Sequence, residues 1–299
     1  MSLKDIIRNI TPTFLLKLNR KRKKNSRNKT LANQKSIGKI ITTQQLIENL
    51  HQIGIQKGDT LLVHSALSKI GFLEEGPKTL VDALLQVIGE NGNLLMPTSP
   101  NNVYQLNYIQ NTPYFDVLNS PSKTGAITEY FRTLKDVKRS LHPTEPVSAF
   151  GPLANYFIKD HFNELTPYTK NSPFCKVAEK QGKILYIGVS LAMAGTSLHT
   201  LEDAIKDFKY PIYYPNIFDF RVIDTEGVEH NVKTKVHNPE WSKKRKCDDL
   251  IPMFELENAL KKVKIGEAET LLCDAKLFFD TMLKQYTEKG VTMYTPFGN

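Results

Sequence analysis

The sequence predicts an α/β fold, because patterns typical of buried strands alternate along the chain with patterns typical of amphipathic helices. Apolar runs of strand length cover residues 60–65, 93–97 and 183–189. Helical spacing of apolar residues occurs at 78–88 and 124–134. The chain has 299 residues and is 40% hydrophobic, so it can bury the core of one large domain or of two modest ones.

The other segments are assigned from caps, turns and composition. The body is expected to begin near Ile41, where Thr42 or Thr43 can cap a helix that carries Leu46, Ile47 and Leu50. The remaining assignments are a loop rich in Asn, Tyr and Pro at 101–122, a helical segment at 197–207, a β-hairpin at 218–236 turning at Thr225-Glu226-Gly227, and closing helices near 254–263 and 269–285.

The positive charge is concentrated at the amino terminus. Residues 1–30 contain ten Lys or Arg against one acid, Asp5, which accounts for the whole net charge of +9. Apolar residues at roughly helical spacing in residues 3–18 precede the basic run Arg20–Lys24, a combination that suits an anionic membrane surface. A solvated tail without a role is the alternative. We therefore divide the chain into a basic amphipathic tail, residues 1–38, and a body, residues 39–299.

Several classes of protein are disfavoured by what the sequence lacks. No run approaches about 18 apolar residues, and no secretory signal follows the basic start, so a cytoplasmic protein is expected. Cys175, Cys247 and Cys273 stand far apart without a CxxC pair, so each is expected to be a small buried hydrophobe. The patterns GxGxxG, GxxxxGKS/T, GxSxG and HExxH are missing, which argues against dinucleotide, P-loop, α/β-hydrolase and zincin chemistry. The body has no basic stripe, so no nucleic-acid partner is expected.

Two clusters of polar residues could bind a ligand. Ser65 ends the strand at 60–65, and Leu67 and Ser68 follow it, where hydroxyls and backbone N–H groups could receive a phosphate or a pantetheine chain. A turn with internally satisfied serines is the alternative. Arg139 and Ser140 could bind a phosphate, and His142 precedes Pro143 in an extended segment. A structural histidine is the alternative there.

A third cluster, Ser197 to Glu202, could carry proton transfer. On a helix, His199 and Glu202 at i, i+3 share one face. A carboxylate beside an imidazole orients the ring and stabilises its cation, as a general base requires. Such pairs also arise by chance, so the spacing alone does not establish a catalytic dyad.

In order and spacing, these clusters resemble the aminoglycoside 3-N-acetyltransferase family. The similar segments are GDTLLVHSALSKIG (58–71), TLVDALLQVIGENGNLLMPT (79–98), RSLHP (139–143), FGPLA (150–154), SPF (172–174), GKILYIGV and SLHTLE (within 182–202), and KIGEAETLLCDAKLFFD (264–280). Together they span roughly residues 41–285. The resemblance implies a mixed central sheet flanked by helices, to which the predicted hairpin adds a small insertion.

The resemblance also implies a reaction and its residues. It implies acetyl-CoA as co-substrate, an amino-sugar-type amine as acceptor, and direct transfer with His199 as base and Glu202 supporting it. Ser65, Leu67 and Ser68 match the turn that receives the CoA chain. Arg139, Ser140 and His142 match the segment on the cofactor side, with His142 as the rival base. No metal is expected, and an oligomer is left open.

Three functions remain open at this stage. One is acetylation of antibiotics, whose polycationic character would call for an acidic cleft. Another is acetylation of an amino sugar for surface polysaccharide, which the basic tail favours because such acceptors are made at the inner membrane face. The third is a membrane- or RNA-binding protein on a degenerate enzyme scaffold, against which the retained His199, Glu202, His142 and Arg139 argue.

Overall fold

Two sheets organise the protein, one large and one small. The computed structural model describes residues 13–298, without the side chains of residues 13–21, 23, 24, 27 and 163. In that range the α-helices are α1 (Thr13–Ser36), α2 (Thr43–Gln52), α3 (Leu67–Ile70), α4 (Pro77–Ile88), α5 (Gln105–Asn111), α6 (Ala126–Arg132), α7 (Ala154–Ile158), α8 (Pro173–Glu179), α9 (Leu191–Ala194), α10 (Thr200–Ala204), α11 (Pro239–Ser242), α12 (Ile251–Leu256) and α13 (Ala275–Lys289). The strands of the same range are β1 (Thr60–Ser65), β2 (Asn93–Pro97), β3 (Tyr114–Asp116), β4 (Lys138–Arg139), β5 (Val147–Phe150), β6 (Lys183–Ile187), β7 (Phe218–Ile223), β8 (Glu229–Thr234), β9 (Leu260–Ile265) and β10 (Ala268–Asp274).

The large sheet forms the centre of the molecule. Across the described residues it has seven strands in the order β4-β5-β2-β1-β6-β10-β9. Strand β1 pairs in parallel with both β2 and β6, whereas β5 and β10 join the outer sides of these strands in antiparallel orientation. Parallel neighbours need crossover connections, and the intervening helices supply them. This mixed central sheet flanked by helices confirms the predicted fold class.

Each face of the large sheet carries its own apolar core. Side chains alternate along β1, so Leu61 and Leu62 point to opposite faces of the sheet. Leu61 packs in a cluster with Leu84 of α4. Leu62 packs on the other side with Phe174 of α8 and Phe278 of α13. All five side chains are almost completely buried, so helices cover both faces of the sheet.

The small sheet contains the predicted hairpin and corrects the assignment of residues 101–122. Strands β7 and β8 pair as expected, with Gly227 in the turn at a φ of +81°. Strand β3 adds to this hairpin in parallel with β7, and α5 precedes it, so residues 101–122 are not simply a loop. Phe115 is fully buried against Phe220 and Val222. Its partners lie about a hundred residues later in the sequence, where local composition gives no signal.

The carboxyl-terminal segment also differs from the prediction. The helices predicted near 254–263 and 269–285 are wrong over residues 260–263 and 269–274, which belong to the antiparallel hairpin of β9 and β10. Gly266 makes the turn at a φ of +55°. Lys261, Lys262 and Lys264 lie on β9, an edge strand of the sheet, where lysines oppose pairing with another chain. Only the flanking residues are helical, in α12 and α13.

At the amino-terminal side the cap prediction is confirmed. Thr42 caps α2 and forms a capping box with Gln45. Helix α1 continues through residues 25–36, which the sequence indicated only as polar. Most of the apolar stripe of the predicted tail falls in residues 1–12, outside the described range. Among residues 13–298, none of the helices combines the length and apolarity that crossing a bilayer requires.

Candidate active site

His199 and Glu202 meet where a 3₁₀ turn continues into a helix. The 3₁₀ turn Thr196–His199 is followed at once by α10, and this continuity keeps the i, i+3 pair on one face. His199 Nδ1 lies 2.6 Å from a carboxylate oxygen, Oε2, of Glu202. His199 is 5% exposed and Glu202 4%. The two side chains therefore form a buried hydrogen-bonded pair.

The surroundings of Glu202 determine which nitrogen of His199 is free to react. The other carboxylate oxygen of Glu202 accepts a hydrogen bond of 2.7 Å from the Tyr294 hydroxyl. A carboxylate opposite Nδ1 places the proton on that nitrogen, which leaves a lone pair on Nε2. Burial lowers the pKa of His199 well below its ordinary value, and the nearby cation of Arg245 lowers it further. The imidazole is thus held neutral, in the form that can accept a proton.

Aromatic side chains enclose this pair. The ring of Tyr168 stacks on His199 at 4.8 Å, and the ring of His237 lies 4.2 Å from His199 on another side. Tyr213 stacks in turn on His237 at 5.0 Å. Asp203 ties the arrangement together, because it accepts hydrogen bonds from the Tyr213 hydroxyl and from the backbone N–H of Tyr168. The enclosure fixes the His199 ring and excludes water from it.

One group of side chains has the donors and the proximity for a metal ion. Ligand atoms of His199, Glu202 and His237 all lie within 4.8 Å of one another, a grouping drawn from the described residues. Imidazole nitrogen and carboxylate oxygen are ligands that Zn²⁺ accepts. His237 Nε2 is buried, and among the described residues its polar neighbour is Glu202 Oε2 at 3.5 Å, the limit of a hydrogen bond. The expectation that no metal takes part stays a prediction.

A cleft of about 780 Å³ opens beside the 3₁₀ turn that carries His199. Ser65, Leu67 and Ser68, at the carboxyl end of β1, line it together with Thr196. Thr196 stands three residues before His199 in the same 3₁₀ turn, so the cleft ends one turn away from the pair formed by His199 and Glu202, neither of which lines it. Ser65 Oγ is buried and has no hydrogen-bond partner among the described residues. A buried unpaired hydroxyl costs free energy, and a ligand in the cleft could relieve that cost.

His64 is a cleft residue to which the sequence had assigned no role. Its ring stacks on Tyr186 at 4.8 Å, and its Nε2 lies 3.4 Å from the Thr196 hydroxyl. Burial lowers the pKa of His64 to about 3. Its polar contact is a hydroxyl and not a carboxylate, so His64 is less well prepared than His199 to stabilise a positive charge.

Glu145 places a carboxylate on the wall of the cleft. One of its oxygens accepts a hydrogen bond of 2.7 Å from the Gln105 side chain, whose carbonyl accepts 2.8 Å from the backbone N–H of His237. Burial raises the pKa of Glu145 above its ordinary value. Gln105 of α5 therefore links Glu145 on the cleft wall to His237 through two hydrogen bonds.

Arg139 has a structural environment that does not support its expected contact with a cofactor. It is 7% exposed, and its guanidinium donates to the backbone oxygens of Thr98, Val117 and Ser120. The guanidinium also lies 4.8 Å from the centre of the Phe115 ring. These contacts take up its hydrogen bonds in fastening the small sheet to the large one, so few donors remain for a phosphate.

Ser140 and His142 lie in similar interior positions. Ser140 Oγ lies 2.9 Å from His161 Nδ1 and accepts 3.0 Å from the Val147 N–H. His142 is fully buried, its ring stacks on His161 at 4.7 Å, and its Nδ1 faces the backbone N–H groups of Thr144 and Glu145 at 3.4 Å. Backbone N–H groups are donors, so they offer no stabilisation to a protonated ring. This geometry gives no support to Ser140 as a cofactor contact or to His142 as the rival base.

Sequence reasoning did not identify several residues of the site. His237 directly precedes Asn238 and Pro239, the cap and first residue of α11. This helix start is recognisable in the sequence and could have indicated that His237 has a fixed position. Tyr294, Tyr168 and Glu145 had no such signal. They reach Glu202, His199 and the cleft from distant parts of the chain.

Comparison with known proteins identifies relatives of the whole arrangement. The pattern of the family described as aminoglycoside 3-N-acetyltransferase matches residues 62–287. Aminoglycoside N(3)-acetyltransferase IV from Salmonella sp is 36% identical over 160 residues, 53% of this chain and 57% of that protein. The SPbeta prophage-derived aminoglycoside N(3')-acetyltransferase-like protein YokD of Bacillus subtilis (strain 168) is 27% identical over 268 residues, 83% of this chain and 91% of its own. The match therefore spans less than two thirds of the Salmonella protein but most of YokD.

Solved structures show the same fold. An AAC(3)-IVa histidine-to-alanine mutant in complex with a gentamicin superposes with a TM-score of 0.68 at 27% identity, over 82% of this chain and 88% of that one. AAC-VIa bound to sisomicin gives a TM-score of 0.69 at 25% identity, over 83% and 97%. AAC-IIIb with CoASH shares the fold at a TM-score of 0.69 and 23% identity, over 83% and 97%. Since the family match extends over well more than half of the sequence, this chain belongs to the aminoglycoside 3-N-acetyltransferase family.

Proposed function

We propose that this protein is an acetyl-CoA-dependent N-acetyltransferase in which His199 is the general base. The observation that carries the proposal is the buried chain Tyr294–Glu202–His199, with hydrogen bonds of 2.7 and 2.6 Å, placed one turn from the cleft. Membership of an acetyltransferase family supplies the reaction class.

The hydrogen-bonded series Tyr294–Glu202–His199 is suited to removing a proton from the acceptor amine. An ammonium group is not a nucleophile, so the acceptor must be a free amine that loses a second proton as it forms the amide. The amine nitrogen attacks the thioester carbonyl carbon and passes its proton to His199 Nε2. The C–S bond then breaks, the amide forms, and CoA leaves as a thiolate that takes the proton held by His199, which returns the imidazole to its neutral form. Glu202 stabilises the imidazolium while it exists, because their contact is 2.6 Å in a buried site.

The cleft suits the donor in size and lining. Its volume of about 780 Å³ lies within the range of ligand sites. Leu67 and Ser68 offer apolar and polar surface to an extended pantetheine chain. Ser65 Oγ, which is buried and has no hydrogen-bond partner in the part of the chain that the structure describes, could donate to the developing oxyanion of the acyl group. AAC-IIIb, of the same fold, was solved with CoASH, which supports this choice of donor.

The acceptor is proposed as an amine of an aminoglycoside or of a related amino sugar. AAC(3)-IVa and AAC-VIa were solved with a gentamicin and with sisomicin, which supports an aminoglycoside. Of the ionisable side chains that line the cleft, Lys123 and Glu145 have opposite charge, and His64 is neutral. The amino sugar of a surface polysaccharide, which the basic amino-terminal segment favours, is the alternative acceptor.

An acceptor screen with the full chain tests this function. Thiol release from acetyl-CoA is measured with kanamycin-type aminoglycosides and with amino-sugar nucleotides, and mass spectrometry identifies the acetylated product. A reaction without amine corrects for thioester hydrolysis. Turnover with either class supports N-acetyl transfer and chooses between the acceptors. Failure with every amine, together with failure to bind CoA in calorimetry, would overturn the proposal.

A further inference from the structure

Glu145 contributes the carboxylate of the cleft lining in the described part of the chain, and its oxygens are incompletely satisfied. Oε1 accepts a hydrogen bond of 2.7 Å from the Gln105 amide. Oε2 lies 3.1 Å from the Ser99 hydroxyl, which also donates to the carbonyl of Thr144. One hydroxyl proton cannot satisfy both acceptors, whereas a carboxylate can accept about four hydrogen bonds. Glu145 therefore has capacity for a donor that enters the cleft.

The charge of Glu145 is poorly compensated by its surroundings. Among the described residues, Arg245 is the cation that lowers the pKa of Glu145, but it makes no ion pair, and burial keeps this pKa raised. Lys123 lines the cleft as well and also makes no ion pair with Glu145. Burial and then the charge of Glu145 raise the pKa of Tyr168, and burial keeps His64 neutral. A partly desolvated anion without a partner costs free energy, which a bound cation would recover.

The backbone around Glu145 is fixed by its neighbours in the sequence. Pro146 follows it, which favours an extended backbone at Glu145. The backbone N–H of Glu145 points to His142 Nδ1 at 3.4 Å, and the carbonyl of Pro146 accepts 2.8 Å from the backbone N–H of Thr98 on the large sheet. The carboxylate is thus held in position before any ligand enters.

Glu145 is also close to the proposed base. The Gln105 side chain that holds Glu145 accepts 2.8 Å from the backbone N–H of His237, whose ring lies 4.2 Å from the ring of His199. Tyr168, whose pKa responds to Glu145, stacks on His199 from another side. An amine that attacks a thioester in the cleft and passes a proton to His199 must lie between the two, beside the wall that Glu145 forms.

We propose that Glu145 binds the reacting amine of the acceptor as an ammonium ion and accepts the first of the two protons that this amine loses. The inference rests on the proposed function, because it requires an amine acceptor and His199 as base. Near neutral pH such amines are largely ammonium ions, which cannot attack a carbonyl.

The protons balance over one turnover. An N–H bond of the ammonium breaks, its electron pair stays on nitrogen, and an O–H bond forms on Glu145. The free amine attacks the thioester and passes its second proton to His199, from which the departing thiolate takes it. Glu145 releases the first proton to water before the next acceptor binds. Its raised pKa makes it a better acceptor of this proton than an exposed carboxylate.

A matched pair of variants tests the inference in the full chain. Glu145→Gln keeps the size of the side chain but removes its charge and its ability to take a proton. The control, Glu75→Gln, removes the same charge from an exposed residue next to Gly76 of the cleft lining, where Glu75 pairs with Lys78 at 2.7 Å. The acceptors are glucosamine, which has a single amine, and kanamycin. Values of kcat/KM for each amine are measured from about pH 6 to pH 7.5, below the pKa of about 8 of such amines. KM for acetyl-CoA and thermal midpoints are measured alongside.

The pH profile of the unmodified chain should be nearly flat. A complex of ammonium and carboxylate has as many protons as one of amine and carboxylic acid, so the reactive complex does not become rarer as the pH falls. Glu145→Gln depends on free amine from solution, and its kcat/KM should rise about tenfold per pH unit. At about pH 6.5 it should lie about 10- to 100-fold below the parent, with KM for acetyl-CoA changed less than about twofold. The Glu75→Gln profile should match that of the parent.

The neutral product separates lost recognition of charge from a distorted site. N-acetylglucosamine carries no ammonium, so its inhibition constant should change less than about twofold in Glu145→Gln. A loss of affinity for this product as large as that for glucosamine would refute the inference. So would an effect of Glu75→Gln equal to that of Glu145→Gln.

The unmodified chain provides a test that does not depend on the folding of any variant. A tenfold rise of its own kcat/KM per pH unit would show that it takes the amine in the free form, and the inference would be wrong while the acetyltransferase function stands. If CoA binds in calorimetry but neither amine binds to the CoA complex, the inference alone is likewise wrong. If CoA does not bind and no amine is acetylated, the proposed function fails, and the inference with it.

Discussion

Two buried histidine segments of this chain, residues 139–142 and 199–202, show how surroundings decide what a histidine can do. Both contain ionisable groups in family-like motifs, and burial lowers the pKa of His142 and of His199 alike. The difference lies in the groups that face Nδ1. His142 faces backbone N–H donors, whereas His199 faces the Glu202 carboxylate. Only His199 has a partner that stabilises the ring after it accepts a proton.

Truncating each histidine should separate catalysis from stability. His199→Ala is expected to lower kcat about 10²–10⁴-fold, because the amine loses its proton acceptor. His142→Ala should instead destabilise folding by about 1–3 kcal/mol through the lost stack on His161, with kcat per folded molecule changed less than about threefold. Steady-state kinetics and denaturant unfolding measure the two effects. If His199→Ala keeps a near-normal kcat while His142→Ala loses most of its kcat, His142 and not His199 is the base.

Removing the charge of Glu202 should give the next largest effect. Glu202→Gln keeps the size of the side chain but no longer stabilises the imidazolium, so kcat is expected to fall about 10- to 100-fold. Tyr294→Phe removes only a neutral hydrogen bond to Glu202 and should cost a few-fold at most. If Glu202→Gln turns over normally, the carboxylate does not act through His199.

The fold and part of the site were predictable for physical reasons that differ from residue to residue. Buried strands such as β1 can be predicted from continuous apolar runs. The cap of α2 can be predicted from the hydroxyl of Thr42 and from Gln45 three residues later. His199 and Glu202 are neighbours on one turn, so their contact follows from helical spacing. Such features depend on residues close together in the sequence, where periodicity and capping rules apply.

Contacts between distant segments could not be predicted in this way. Residues 260–263 and 269–274 were predicted to be helical, yet they form a hairpin whose strand β10 pairs with β6 of the large sheet. Tyr294 reaches Glu202 across 92 positions of sequence. Arg139 and Ser140 were expected beside a cofactor because the residue types suit phosphate. Their partners in the interior, among them the carbonyl of Ser120 and the ring of His161, were not visible from the motif.

Acid should destabilise both segments, although only one of them is proposed to act in catalysis. Burial lowers the pKa of His161 and of His237 to about 3 in the folded protein, whereas the unfolded value is 6.5. Stability is therefore complete above about pH 6.5 and falls below it, as the unfolded chain takes up protons first. Each such histidine should contribute a slope of roughly 1.4 kcal/mol per pH unit. Denaturant unfolding of His161→Gln between pH 7 and pH 5 should show a slope reduced by about that amount, and a slope unchanged from the parent would contradict the assignment.

The smallest effect is expected from removal of metal ions. The distance of 2.6 Å from His199 Nδ1 to Glu202 Oε2 is that of a hydrogen bond. Two ligands held at about 2.0–2.1 Å by a tetrahedral zinc would stand roughly 3.4 Å apart, so the pair is set for proton sharing. Dialysis against EDTA should change kcat less than about twofold. Added Zn²⁺ should inhibit by recruiting His237 as a further ligand, and His237→Asn should weaken that inhibition. Loss of activity on dialysis, restored by Zn²⁺, would instead make His199, Glu202 and His237 a resident metal site and remove the distinction drawn between the two histidine segments.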